Sequence, residues 1–226
     1  MFRLIPALLA GLALAAPIAD AQSTRASKKL QVRFLAERIP AEIGQVRLMS
    51  GEWKSDDFDL PGNHLSPPQT PPERVFEVWS AAKNVSLAKI SLPEPATSFV
   101  VILVPASKGG YSPVILPANN PNFKAGDVYF YNHADKTVLG YVGTSKFTLA
   151  PAKGTMLRPA GPKGDGKYYD VGLGFRDSDG DRPLSLARWP VQEGIRMYVF
   201  FYINPTTQRI DFRAVDEFIE AEDDRS

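Results

Sequence analysis

The chain has 226 residues, a net charge of +1, 44% hydrophobic side chains and no cysteine. Without cysteine there is no disulfide, no thiolate nucleophile and no Cys-based metal site, so the fold rests on its core. The 26 basic and 25 acidic residues form no concentrated basic face, which excludes nucleic acid as the expected partner.

Residues 1–21 (MFRLIPALLAGLALAAPIADA) read as a secretory signal peptide. Arg3 gives a short positive head, an apolar run follows from Leu4 to Ala16, and Ala19 and Ala21 supply an A-x-A cleavage site. The run is short for a bilayer and is flanked by Pro6 and Pro17, so no transmembrane segment is expected in the mature chain. The expected location is periplasmic or extracellular. Residues 22–29 form a basic arm carrying Arg25, Lys28 and Lys29, predicted to be solvated. About 205 residues remain after the leader, enough for one large core or two modest ones.

From residue 30 onward the periodicity is that of strands, punctuated by 20 prolines and 17 glycines. The first group is GQVRLMSGEWKSDDFDLP (44–61), RVFEVW (74–79), KISLP (89–93), SFVVILVPA (98–106) and SPVIL (112–116). A turn-rich linker, 119–125, follows. The second group is GDVYFYNHADKTVLGYVGTSKFTLAP (126–151), YYDVGLGF (168–175), LARWP (186–190), MYVFFYINP (197–205) and RIDFR (209–213). The only helical spacing is a short turn at VDEFIEA (215–221), and an acidic tail, 219–226, closes the chain.

The two groups match block by block in the same order. Both 44–61 and 126–151 begin G-x-V and end F-x-L before a proline, and Pro/Gly-rich loops follow at 62–73 and 152–167. The predicted fold is therefore all-β: two tandem Ig-like antiparallel β-sandwich repeats, 30–118 and 126–218, packed together. One merged large sandwich satisfies the same pattern. The runs FVVILV and YVFFYI are apolar on both faces, so something must cover their second face. That cover is either the other half or a partner protein.

Several clusters are candidate sites. In NHAD (132–135), His133 and Asp135 lie between two strands, where Asn and Asp also close turns on their own backbone. The only other histidine, His64, sits in the loop 62–73. Asp177, Asp179 and Asp181 alternate around Gly180 like a weak calcium loop, but the EF-hand glycine and terminal glutamate positions are not matched. A cofactor-free protein is expected, weak calcium binding at these aspartates being the one exception. Trp53 stands beside Asp56, Asp57 and Asp59, an aromatic with carboxylates as a glycosidase uses them, although alternation puts Asp57 and Asp59 on a wet face. PPQTPP (67–72) reads as a stiff extended loop. Neither histidine has a nucleophile-elbow context, so no Ser-His-Asp triad is indicated.

These features point to an exported non-catalytic protein that binds or supports another envelope or extracellular protein. A carbohydrate-binding module is the alternative, with Trp53, Trp79, Trp189 and the tyrosines of VYFY (Tyr129 and Tyr131) as stacking platforms and a polysaccharide as partner. An aspartate-based glycoside hydrolase ranks third. The equivalent long loops 62–73 and 152–167 mark the expected functional rim.

Overall fold

A computed structural model describes residues 29–219; the signal-peptide expectation, the arm apart from Lys29 and the acidic tail apart from Ile219 lie outside the described residues. Seven strands make up the first half: β1 (Gln31–Ala36), β2 (Val46–Ser50), β3 (Trp53–Lys54), β4 (Val75–Ser80), β5 (Val85–Ser91), β6 (Ser98–Pro105) and β7 (Tyr111–Pro117). Eight make up the second: β8 (Val128–Asn132), β9 (Val138–Val142), β10 (Ser145–Leu149), β11 (Gly154–Leu157), β12 (Tyr168–Asp177), β13 (Gly180–Pro190), β14 (Ile195–Ile203) and β15 (Ile210–Phe218). One 3-10 turn, Ala41–Ile43, interrupts the strands. The chain is all-β, as its periodicity predicts. Among the described residues no helix is long and apolar enough to cross a membrane.

The strands form four sheets, ordered β3-β2-β4-β5, β1-β6-β7, β11-β8-β14-β15 and β10-β9-β12-β13. The second pair of sheets repeats the pairing scheme of the first. Strand β1 runs parallel to β6, which turns back into β7; β8 runs parallel to β14, which turns back into β15. Each half thus carries one parallel pair in an otherwise antiparallel scheme. Even β11 has a counterpart, because Gln69 bridges Val32 on β1 where β11 pairs with β8.

Three departures from the sequence reading have physical causes. The two G-x-V starts are not equivalent: the one at Gly44 leads into β2, whereas the one at Gly126 opens β8, the counterpart of β1. The true match sets Val46, Gly51 and Lys54 of the β2–β3 hairpin against Val138, Gly143 and Lys146 of the β9–β10 hairpin. The predicted helical turn at 215–221 is strand as far as Phe218. Spacing alone suggests a helix there, but Val215 and Glu217 are the inward pair, with Glu217 held by buried polar partners. The loop 152–167, expected to be irregular, contributes the edge strand β11.

Strand alternation explains the layering. On β6, Phe99, Val101 and Leu103 face β2, β4 and β5 in one core, while Val100 and Ile102 face the opposite way. On β14, Val199 and Phe201 pack inside the second half, and Tyr198 and Phe200 point out of it. The outward sets meet each other with Leu35, Leu116, Phe123, Tyr129 and Val215 in a third core. The cover required by the two-sided apolar strands is the other half. The sheets therefore stack in four layers around three apolar seams, each large side chain in the central seam contributing about 1.5–3 kcal/mol.

Polar groups pin the central seam along β1. Near the start of β1, buried Glu217 accepts from Arg196 and from the Tyr198 hydroxyl (2.7 Å), and its other oxygen lies 3.8 Å from Arg33. Arg196 also donates to the carbonyls of Ala118 (2.8 Å) and Phe123 (3.2 Å), and its guanidinium stacks on the Phe123 ring. Burial, reinforced by the Glu217 carboxylate, holds the Tyr198 phenol well above its ordinary pKa, so it remains a donor. Beyond the end of β1, Glu37 is hydrogen-bonded to His133 of the second half, and Arg213 donates to the Ala36 carbonyl (2.9 Å).

Candidate functional site

At one end of the second half the two sheets part around a hollow of about 230 Å³. Tyr169 on β12 and Trp189 on β13 are directly opposed in register, which puts both on the same face. Both are half-buried against the core and line the hollow with Val142 and Met197. Across from these apolar groups stand Arg158, just past β11, and Asp127, just before β8.

Asp127 folds the turn that precedes β8. Its carboxylate accepts from the Lys124 backbone N–H (2.7 Å), and its own N–H donates to the Lys124 carbonyl (3.1 Å). Its side chain is only 4% exposed, whereas that of Arg158 is 61% exposed. The second carboxylate oxygen accepts from Arg158 Nε at 2.6 Å, which raises the Arg158 pKa and holds the guanidinium over the rim. Neither terminal nitrogen of Arg158 has a hydrogen-bond partner among the described residues. A buried carboxylate thus anchors a largely exposed guanidinium through Nε and leaves both terminal nitrogens without a partner among the described residues.

Gly143 lets the Arg158 loop lie where it does. Thr144 N–H donates to the Ala160 carbonyl (2.7 Å), and Gly143 N–H donates to the Asp170 carbonyl (2.8 Å). Gly143 has φ +62°, and a Cβ there would stand 1.8 Å from the Ala160 oxygen. Only glycine permits that approach.

A second depression, of about 380 Å³, lies on the far side of the Arg158–Asp127 pair and is lined by Asn122, Lys124, Met156 and Leu157. The first half opens at the topologically equivalent end, where Leu30, Thr70, Pro71, Pro72, Arg74 and Thr97 line a hollow of about 580 Å³ that has no aromatic residue in its lining. Both long loops of the sequence reading therefore reach this end, with Arg158 coming from 152–167 and Thr70 to Pro72 from 62–73.

The other sequence candidates are dispersed. His133 meets Glu37, whereas Asp135 is exposed and has no hydrogen-bond or ion-pair partner among the described residues. Buried Asn132 organises the NHAD turn: its amide donates to the carbonyls of Lys136 (2.9 Å) and Leu149 (3.0 Å), and its oxygen accepts from the Ala134 N–H (3.0 Å). His64 is exposed and bonded to its neighbour Asn63. Trp53 is half-buried against the first core, and the adjacent Asp57 is paired with Arg47 at 2.8 Å.

The aspartates of the β12–β13 tip each face a different cation: Asp177 faces Lys136 (2.9 Å), Asp179 faces Arg182 (3.3 Å) and Asp181 faces Arg176 (2.8 Å). Among the described residues no three His, Asp or Glu side chains group as metal ligands. Hydrogen bonds from Lys136 and Arg176 hold the Asp177 and Asp181 carboxyls below their ordinary pKa. A depressed carboxylate pKa stabilises the fold above the unfolded value, and that contribution is lost as pH falls through the folded one. The protection of amides 176–182, corrected for intrinsic exchange and measured against the β12–β13 base, is therefore expected to fall selectively as pH is lowered below the ordinary aspartate range. Uniform protection along the hairpin at every pH would refute this.

No protein-family profile matches the chain, and no curated protein sequence is detectably similar to it. Of the hollow's functional groups, sequence reasoning singled out Trp189 as a stacking platform and missed Tyr169, Asp127 and Arg158. In sequence Gly126–Asp127 reads only as an ordinary turn before β8, where aspartate is favoured, so nothing local marks its carboxylate as the brace of Arg158.

Proposed function

We propose that this is an exported, non-catalytic binding protein whose ligand is a carbohydrate held at the open end of the second half. The observation that carries this reading is the hollow itself, with the Tyr169–Trp189 pair on one wall and Arg158, braced by buried Asp127, on the other. Aromatic faces pack against the C–H faces of a sugar ring while hydroxyls bond to polar groups beside them. The volume is below the roughly 300–1,000 Å³ of pockets that enclose drug-sized molecules, which suits one small ring in this hollow.

Two further features favour binding of a carbohydrate over a protein partner or hydrolysis. The apolar strands that pointed to a protein partner are covered by the other half. Among the described residues the exposed large apolar side chains, Val75, Val85, Leu186 and Phe218, lie on four different strands. Glycoside hydrolysis needs two carboxyl groups flanking the bond, whereas here Asp127 is tied beneath Arg158 and only Glu193 is presented at the rim.

The test is affinity electrophoresis through gels containing glycogen, mixed-linkage β-glucan, xylan, glycol chitin, polygalacturonate or alginate. Retardation in at least one gel is expected, and Trp189→Ala should abolish it while leaving the circular dichroism spectrum unchanged. If migration is unaltered in all six gels, the carbohydrate reading falls.

A further inference from the structure

The two depressions on either side of Arg158 differ in chemistry, and that difference specifies the ligand more closely. This inference rests on the carbohydrate reading. On the Trp189 side the lining is aromatic and apolar, with exposed Glu193 at its rim. On the other side Lys124 and Asn122 join Met156 and Leu157, and among the described residues the one acid lining this depression is Asp127, both of whose oxygens are already engaged. Arg158 lines both depressions, with its two terminal nitrogens unpartnered among the described residues.

We propose that the site takes an acidic glycan across both depressions: an uncharged ring face on Tyr169 and Trp189, and the carboxylate of a sugar acid between Arg158 and Lys124. A guanidinium anchored through Nε presents a planar pair of donors, which matches the two oxygens of a carboxylate. Lys124 adds a second positive charge on the same side, and Glu193 repels an anion from the opposite side, so the ligand has a fixed polarity. The fork also separates the roles of the two basic groups. Arg158 supplies geometry as well as charge, whereas Lys124 supplies charge alone, so Arg158→Lys should retain little binding.

The experiment compares polygalacturonate and alginate oligosaccharides with the same chains after carboxyl reduction to neutral sugars, using calorimetric titration of the full mature chain. The acidic chains are expected to bind at least tenfold more tightly than their reduced forms and to weaken as salt is raised. Arg158→Ala and Arg158→Lys should each weaken the acidic chains by tenfold or more, and Lys124→Ala by a few-fold. Arg158→Lys keeps a cation beside buried Asp127, and Lys124→Ala leaves both of its backbone hydrogen bonds to Asp127 in place, so these two variants should melt like the native protein, whereas Arg158→Ala strips a partner from Asp127 and should melt lower. Equal binding of acidic and reduced chains, or acidic binding indifferent to Arg158, would overturn the acidic specificity and leave the carbohydrate reading standing. Binding of neither set, together with unaltered migration in all six gels, would overturn both.

Discussion

Glu217→Ala is expected to destabilise the protein by about 3–5 kcal/mol, the cost of removing one partner from a buried ion pair. Arg196 and Glu217 are both buried, and the Tyr198 hydroxyl on the same carboxylate is fully so. Truncation leaves the Arg196 charge with only the Ala118 and Phe123 carbonyls. Thermal melts followed by circular dichroism should show a midpoint drop on the order of 10 °C, since one kcal/mol shifts a chain of this size by about 2–4 °C. Replacing both partners, Arg196→Met with Glu217→Leu, should be less harmful than Glu217→Ala alone, because no charge is then stranded. A drop of only a degree or two in the single variant would mean that water reaches the cluster.

Gly143→Ala should be the second severe change, and the molecule supplies its own control. Gly51 and Gly143 hold the same place in equivalent hairpins, both with positive φ, at +55° and +62°. An added Cβ at Gly51 meets nothing within 4 Å, whereas at Gly143 it meets the Ala160 backbone oxygen at 1.8 Å. Gly51→Ala is expected to cost about 1–2 kcal/mol from backbone conformation alone. Gly143→Ala carries that cost and must also displace the 158–160 segment, so it should both melt lower than Gly51→Ala and release Arg158 from Asp127. Chemical denaturation of the two variants checks the first effect, and loss of polysaccharide retardation by Gly143→Ala alone checks the second. Indistinguishable midpoints would show that the loop yields without resistance.

What could be read from the sequence was what repeats locally. Alternation in FVVILV and YVFFYI exposed two apolar faces, and those faces require the layered packing. The alternation of RIDFR likewise identified β15, although its continuation misled. Phe218 and Ile219 resemble a helical stripe until Glu217 is seen to be the inward residue, and that depends on Arg196 and Tyr198 from another strand. The candidate site was less legible for the same reason. The hollow is assembled from the ends of β8, β9, β11, β12, β13 and β14, and no short window of sequence contains more than a fraction of it. His133 shows the limit most clearly, because its partner Glu37 lies 96 residues earlier in the chain.

The central seam also bears on symmetry. Equivalent sheets face one another across it, as the two identical chains of a dimer do across a two-fold axis. Two identical chains would be obliged to present identical sites, since any change in one appears in the other. Carrying both halves on one chain removes that obligation and keeps each half at a high effective concentration for its mate. The two ends have diverged accordingly: the first half lines its hollow with Thr70, Pro71, Pro72 and Arg74, and the second lines the same position with Tyr169, Trp189 and Arg158. One half can thus act as the permanent structural partner of the other, and only one needs to face a ligand.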